Sequence, residues 1–245
     1  MKYYPPRYLF RRYELLRRVS EGNHFLEIGA GRLLLSVELL RYFRQGTLID
    51  FSPRTAEVYE ALQRSVRNRL TLMVADFMDV RLDSSFDTVI ACEVLEHVEN
   101  EEAFLGKIYP LLKPGGRLIL SVPARKDLWA RDDEMAGHFR RYEKSEIADL
   151  LSRHGLRPLE VISYGFPFVN LFRIARVMLA NRQYAEKSRW SKDERTKNSG
   201  SMLRGPLVAS LGLLVNPVTI SPLCLVSSLF NSRDRSDGYL IISEK

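Results

Sequence analysis

The chain has only two cysteines, Cys92 and Cys224, far apart and each in hydrophobic surroundings. That excludes a disulfide framework and the close spacing of a structural metal site. It points to a reducing, cytoplasmic setting. The four histidines are scattered, and His24 opens an apolar run, so no metal role is expected. No internal repeat is visible. The basic, aromatic start, MKYYPPRYLFRRYELLRR, lacks the continuous apolar core of a secretory signal. From 205 to 232 the chain carries no charged side chain at all.

What is present is an ordinary globular composition, 45% hydrophobic and 27% charged over 245 residues. That length fits one domain with an insertion better than two domains. The net charge of +7 is unevenly placed: residues 166–205 hold nine Lys and Arg against three Asp and Glu. Such a stretch suits an anionic partner, whether phosphate, acidic lipid or nucleic acid. A solvated loop is the equally weighted alternative.

From residue 23 onward, strand and helix patterns alternate. His24–Ile28, Thr47–Asp50, Leu70–Val74, Phe86–Ala91, Arg117–Val122, Leu159–Tyr164 and Tyr239–Ser243 read as strands. Arg32–Arg44 reads as a helix, with Leu33, Leu34, Val37 and Leu40 at helical spacing and Gly46 as its stop. Ser52 and Pro53 open the next helix as cap and first-turn residue. Glu101–Leu112 and Lys144–His154 follow, the former stopped by Lys113-Pro-Gly-Gly116. This order predicts an α/β fold with a mostly parallel sheet covered on both faces. In such sheets ligands bind beyond the carboxyl ends of the strands, so the chemistry is expected just after each strand.

Those positions are occupied by a coherent set. Glu27-Ile-Gly29-Ala-Gly31 follows the first strand, and its glycines allow a tight turn and close ligand approach. Asp50, with Phe51, ends the second strand and can accept hydrogen bonds from two ribose hydroxyls. Asp76 and Phe77 follow the third, a carboxylate for an exocyclic amine and a ring for a base. A glycine turn alone is weak evidence. Any one acid alone is as readily a helix cap or turn residue. Three acids after three successive strands form a far more specific signal.

The segments FLEIGAG, TLIDFS, VADF, FDTVIACEVLEHVEN and LLKPGGRLILSVPA, within residues 25–124, resemble the successive motifs of class I S-adenosylmethionine-dependent methyltransferases. The resemblance implies a Rossmann-like, seven-stranded sheet with the last strand antiparallel. It implies S-adenosylmethionine as cofactor. Glu27, Gly29 and Gly31 would face the methionine part, Asp50 the ribose, and Asp76 with Phe77 the adenine. Cys92 and Glu93 would line the pocket after the fourth strand. One departure stands out: Leu33 takes the place of the family's third glycine. A nicotinamide enzyme would also carry an acid after the second strand, but gives no reason for the third acid, EVLEH or the KPGG turn.

The acceptor side is less defined. Glu93 and His97 of EVLEH are candidates there, with His97 either a base or support for a helix start. Gly137-His138-Phe-Arg140-Arg141-Tyr142 resembles a segment of a subgroup acting in lipid, glycan and specialised metabolism. His138 is the first candidate for a base. Arg140, Arg141 and Tyr142 are candidates for holding the acceptor, the arginines through paired hydrogen bonds to an anion. The bland alternative is a clasp in which these arginines pair with Asp132, Asp133 or Glu134.

Residues 1–22 read as an N-terminal helical lid, where Tyr4, Tyr8, Arg11 and Arg12 either touch an acceptor or pack. Residues 23–165 and 238–245 read as the core of one methyltransferase domain. Residues 166–237 read as a helical and basic insertion between the last two strands, with 181–204 a loop. Its uncharged run is long enough to span a bilayer. Two strands that share one sheet argue against a single crossing, and Pro206, Pro217 and Pro222 break the run. A cap over an acceptor pocket, contact of 166–232 with a membrane surface, and a homodimer interface remain.

The expected activity is methyl transfer to an oxygen or nitrogen of a small-molecule or lipid-linked acceptor. The rivals are a non-catalytic scaffold, whose hallmark would be loss of the cofactor acids, and a nucleic-acid methyltransferase. No Asn-Pro-Pro-aromatic motif or appended RNA-binding module supports the latter.

Overall fold

The structure is a computed structural model, and it describes residues 4–187 and 215–245. Its chain order is α1 (Pro6–Leu16), β1 (Gly22–Ile28), α2 (Leu34–Leu39), β2 (Phe43–Asp50), α3 (Pro53–Glu60), α4 (Arg64–Arg67), β3 (Leu70–Val74) and β4 (Phe86–Cys92). Then come α5 (Glu101–Leu111), β5 (Leu112–Pro123), α6 (Arg131–Ala136), α7 (Lys144–Arg153), β6 (Arg157–Ser163), α8 (Phe168–Lys187), α9 (Pro217–Ser228) and β7 (Gly238–Glu244). The seven strands form one sheet in the order β3-β2-β1-β4-β5-β7-β6. The order turns back at β1, between β2 and β4, where an α/β sheet opens its ligand crevice.

The β1–β2, β1–β4, β2–β3 and β4–β5 pairs are parallel. The last strand runs the other way. Ala124 N–H donates to the Asp237 carbonyl (2.9 Å) and Lys245 N–H to the Gly116 carbonyl (3.0 Å), so the partner descends as β5 ascends. The expected α/β sheet with an antiparallel last strand is what the structure contains.

The chain divides into two compact units. One comprises Arg18–Ser121, Ser145–Val161 and Ile241–Lys245. Its core is the middle of the sheet: Phe25, Leu26, Leu48, Ile49, Val89, Ile90, Leu118, Ile119 and Leu120 are buried. Strands covered on both faces read as continuous apolar runs, which is why these segments were legible. Each large apolar side chain so buried stabilises the fold by about 1.5–3 kcal/mol. Helix α5 adds Phe104, Leu105, Ile108 and Leu111 from one face, and Asn100 caps it by accepting the Ala103 N–H at 3.0 Å.

The other unit comprises Met1–Arg17, Val122–Lys144 and Ile162–Leu240. Here α1 packs on α8 and α9. Leu9, Phe10 and Leu15 of α1 are buried, as are Ile220 and Cys224 of α9. Phe10 stacks on Phe168 with ring centroids 6.0 Å apart. The expected helical N-terminal segment is therefore α1.

Four local expectations are corrected. The helix expected over 32–44 is only Leu34–Leu39, and β2 already begins at Phe43. Gly46 is not a helix stop but a residue of β2. A Cβ there would lie 2.2 Å from the Phe25 ring, so the glycine makes room for a core aromatic. Ser52 makes no side-chain cap to α3. In the insertion, residues 181–187 are helical, since α8 runs on to Lys187. Residues 188–204 of the expected loop lie outside the described residues.

Candidate functional site

The turn after β1 is built from left-handed backbone. Gly29 (φ 76°), Gly31 (φ 50°) and Leu33 (φ 56°) all have positive φ. A Cβ on Gly29 would sit 2.5 Å from Val94 Cγ2, whereas one on Gly31 would meet nothing within 4 Å. Gly29 is thus required by packing, and Gly31 fronts open space that a ligand can approach. Leu33, at the departure from the family pattern, keeps the conformation a glycine would adopt, although its side chain is buried.

Two acids frame this turn. Glu27 is buried in β1 and accepts the Ser36 hydroxyl at 2.5 Å. Asp50 is buried at the end of β2. Its Oδ2 accepts the Gly31 N–H (2.7 Å) and its Oδ1 the Ser52 N–H (2.8 Å). Each carboxylate oxygen has a second lone pair, so both can still accept from a ligand hydroxyl. Phe51 beside it is exposed.

Asp76 is exposed beyond β3, with Oδ1 accepting the Met78 N–H at 2.8 Å. Phe77 sits differently from expectation. Its ring is buried edge-on against Phe104 (centroids 5.2 Å, interplanar angle 69°), and Lys107 Nζ lies 4.9 Å from its centroid. The ring packs on α5 instead of standing open beside the Asp76 carboxylate.

After β4, Cys92 is half-buried and Glu93 is left-handed at φ 57°. A non-glycine held there carries backbone strain. Two hydrogen bonds to one residue hold it: Glu93 N–H to the Ser121 carbonyl and Ser121 Oγ to Glu93 Oε1, both 2.9 Å. His97 closes a single 3-10 turn, Leu95–His97, its N–H donating to the Val94 carbonyl. Glu27, Gly29, Gly31, Asp50, Phe51, Asp76, Phe77, Cys92, Glu93 and His97 all belong to the first unit.

The other candidates lie in the second unit. Helix α6 ends at Gly137 (φ 82°), which turns the chain so that His138 N–H reaches the Asp133 carbonyl at 3.0 Å. His138 Nδ1 is 2.9 Å from Asp133 Oδ1. Arg141 Nε donates to Asp133 Oδ2 (2.9 Å) and its Nη1 to the Ala124 carbonyl (2.9 Å). Asp133 and Arg141 are both buried. Burial opposes the charge on Asp133, but the His138 hydrogen bond and the Arg141 guanidinium hold it well below the usual carboxylate range. Arg141 therefore forms the clasp. Tyr142 is also buried, its backbone paired with Pro123 and Arg125. Arg140 lies over the Phe139 ring, 5.8 Å from its centroid.

Sequence reasoning missed three participants. Ser36, a lone serine in LLLSVELL, orders Glu27. Ser121, inside an apolar strand, orders Glu93. Asp237, just before β7, is fully buried and accepts Arg176 Nη2 at 2.8 Å, while Arg176 Nε donates to Asp132 at 2.8 Å. Burial favours the neutral form of Asp237, yet Arg7, Arg176 and Arg141 hold its carboxyl below the ordinary value.

Residues 26–120, which span this turn and the three acids, match the methyltransferase domain family. Over those residues the chain carries a methyltransferase domain, of the class I kind that its sequence motifs resemble. S-adenosylmethionine is the cofactor of that class, and the open front of Gly31 and the two-oxygen acceptor of Asp50 fit it. Over 112 residues the chain is 35% identical to the mitochondrial ubiquinone biosynthesis O-methyltransferase of Schizosaccharomyces pombe, covering 44% of this chain and 41% of that protein. The chain thus spans less than half the length of the curated relatives it matches. Among solved structures, the methyltransferase domain is similar to an N-methyltransferase of Bradyrhizobium japonicum in complex with S-adenosyl-L-homocysteine. The TM-score is 0.53 at 24% identity, over 63% of this chain and 77% of that one. A putative sarcosine dimethylglycine methyltransferase of Galdieria sulphuraria matches 98% of this chain and 84% of its own, with TM-score 0.60 and 14% identity. These likenesses establish the fold.

Proposed function

We propose that the chain transfers the methyl group of S-adenosylmethionine to a hydroxyl oxygen of a small, lipid-linked molecule. The observation that carries this is the Asp50 carboxylate, buried and held on both oxygens at the rim of an open glycine turn inside a methyltransferase domain. The curated relatives are named for O-methyl transfer in ubiquinone biosynthesis, which favours oxygen over nitrogen.

When bound, the cofactor supplies an electrophilic methyl on sulfur. Glu27 and the Gly29–Gly31 backbone would hold its amino-acid end, Asp50 the ribose hydroxyls and Asp76 the exocyclic amine. Asp50 is already oriented by Gly31 and Ser52, so binding the ribose needs no rearrangement of its carboxylate. Ser121 keeps Glu93 fixed beside Cys92 at the end of β4. Because the chemical step is one displacement, the residues contribute chiefly by alignment. Arg141 is taken by the clasp with Asp133 and the Ala124 carbonyl.

A lipid-linked acceptor is favoured by two exposed apolar stripes. Leu171, Ile174 and Met178 lie at helical spacing on α8, and Val218 and Leu225 on α9 with Leu229 at its C-cap. Together with the net positive charge of residues 166–205, they suit a cytoplasmic protein resting on an anionic membrane surface. Among the described residues, no helix is long and apolar enough to cross a membrane. Sedimentation with anionic vesicles tests the contact, and dimers in light scattering without vesicle binding would assign the stripes to self-association.

The activity itself is tested by mass spectrometry of a cell extract, lipid fraction included, incubated with the chain and the cofactor. A metabolite heavier by one methyl is expected. No such product from an enzyme that binds the cofactor would refute the reading.

A further inference from the structure

We propose that Lys107 is a positioning residue that fixes the turn after β3 so that Asp76 receives the exocyclic amine of the cofactor's adenine. The inference rests on the amine contact proposed above for Asp76 and names the group that orients it. All the residues concerned lie in the first unit. Asp76 opens a tight turn: its carbonyl accepts the Asp79 N–H at 3.1 Å and its Oδ1 the Met78 N–H at 2.8 Å. Helix α5 holds that turn. Lys107 Nζ donates to the Phe77 carbonyl at 2.6 Å and to the Met78 carbonyl at 2.7 Å.

One peptide group joins Lys107 to Asp76. The Phe77 carbonyl and the Met78 N–H belong to the same peptide plane, and in a trans peptide they point opposite ways. An ammonium on the carbonyl therefore sets the direction of the N–H that holds Asp76 Oδ1. A charged donor also polarises the peptide and strengthens the bond on its far side. The Phe77 ring repeats the constraint. It packs on Phe104, three residues before Lys107 and so on the same helix face, while Lys107 Nζ lies 4.9 Å from the ring centroid. Phe77 thus serves the turn through its carbonyl and its buried ring.

A lysine beside two aspartates has an obvious alternative partner. The Asp79 and Asp76 charges favour the ammonium, against the burial that lowers its pKa. Yet among the described residues Lys107 forms no ion pair with either, and it places two of its three donors on backbone carbonyls. Among the same residues, Asp76 Oδ2 accepts no hydrogen bond, so the carboxylate is oriented without being used up. An exposed acceptor held in advance costs less ordering when a ligand arrives.

Calorimetric titration of the full chain compares S-adenosylhomocysteine with its purine analogue, in which hydrogen replaces the exocyclic amine. The wild type is expected to bind the analogue at least about tenfold more weakly, through loss of a hydrogen bond to a charged group. Asp76→Ala is expected to bind the two nearly alike. Lys107→Met keeps the length of the side chain without its donors. It is expected to bind S-adenosylhomocysteine about three- to tenfold more weakly, with affinity for the analogue kept within about twofold, so that the ratio narrows. A purely structural role would lower both affinities together. An equal loss for both ligands, or an unchanged ratio, would overturn the proposal. Lys107→Gln, shorter and neutral, replaces Lys107→Met if that variant does not fold, and the same narrowing is expected. A wild type that binds both ligands alike would refute the amine contact of Asp76 and this proposal with it. A wild type that discriminates through Asp76, with the ratio unchanged in the lysine variants, would overturn the role of Lys107 alone.

Discussion

The Gly31 N–H donates to the Asp50 carboxylate across 2.7 Å, so the turn after the first strand is tied to the end of the second. Asp50 therefore has a structural duty besides any ligand. Asp50→Asn turns an amide NH₂ toward one of two backbone N–H donors, and Asp50→Ala leaves both unmet. Each variant is expected to lose about 1–3 kcal/mol of stability, the usual cost of an unmet buried hydrogen-bonding group. Urea titration measures this, and an unchanged midpoint would show that the turn does not depend on the carboxylate.

Leu33 tests the odd position of the turn. Replacing it by glycine relaxes a left-handed backbone, a gain of about 1–2 kcal/mol. It also empties a buried leucine site, a loss of about 2–5 kcal/mol. The net expectation for Leu33→Gly is a loss of about 1–3 kcal/mol, with the turn conformation kept. A more stable variant would mean that the leucine side chain contributes little.

Asp133 predicts acid sensitivity of the loop around α6. Its carboxyl is held below the usual range when folded, so the unfolded chain binds the proton first as the pH falls. The stabilisation is complete above about pH 5 and drains as the pH falls through about 4 toward the folded value. Urea midpoints of the wild type are expected to fall across that window, and Asp133→Asn to fall less steeply. Parallel slopes for the two would remove Asp133 from the account.

Cys224 predicts a protected thiol. It is buried in α9, its Sγ 4.0 Å from the Leu9 carbonyl, and burial with nearby Glu14 pushes its pKa up to about 12. Thiolate reagents at about pH 8 are expected to leave it unmodified until α1 and α9 part, whereas half-buried Cys92 reacts earlier. Rapid labelling of Cys224 in the native protein would show that α9 does not pack as described.

The sheet was legible because its central strands are covered on both faces and read as plain apolar runs between turns. Glu27 near the end of β1, Asp50 at the end of β2 and Asp76 after β3 were legible for the same reason, as they stand where those runs stop. Gly46 misled because the sequence shows a small residue without showing Phe25, whose ring fills its place. Leu33 misled because helical spacing continues through a residue whose backbone is left-handed. Phe77 stands next to Asp76 in the sequence, but its ring turns inward onto Phe104, and nothing local records that. Arg140 and Arg141 are chemically equal in the sequence, and only the fold shows which of them Asp133 takes.

The most direct test is calorimetric titration of S-adenosylhomocysteine into the intact chain. One site per chain is predicted, with a dissociation constant of about 1–100 µM. Asp76→Ala, which leaves the Asp50 and Gly31 turn untouched, is expected to weaken it at least about tenfold. A folded wild-type chain that takes up neither this product nor S-adenosylmethionine would contradict the account.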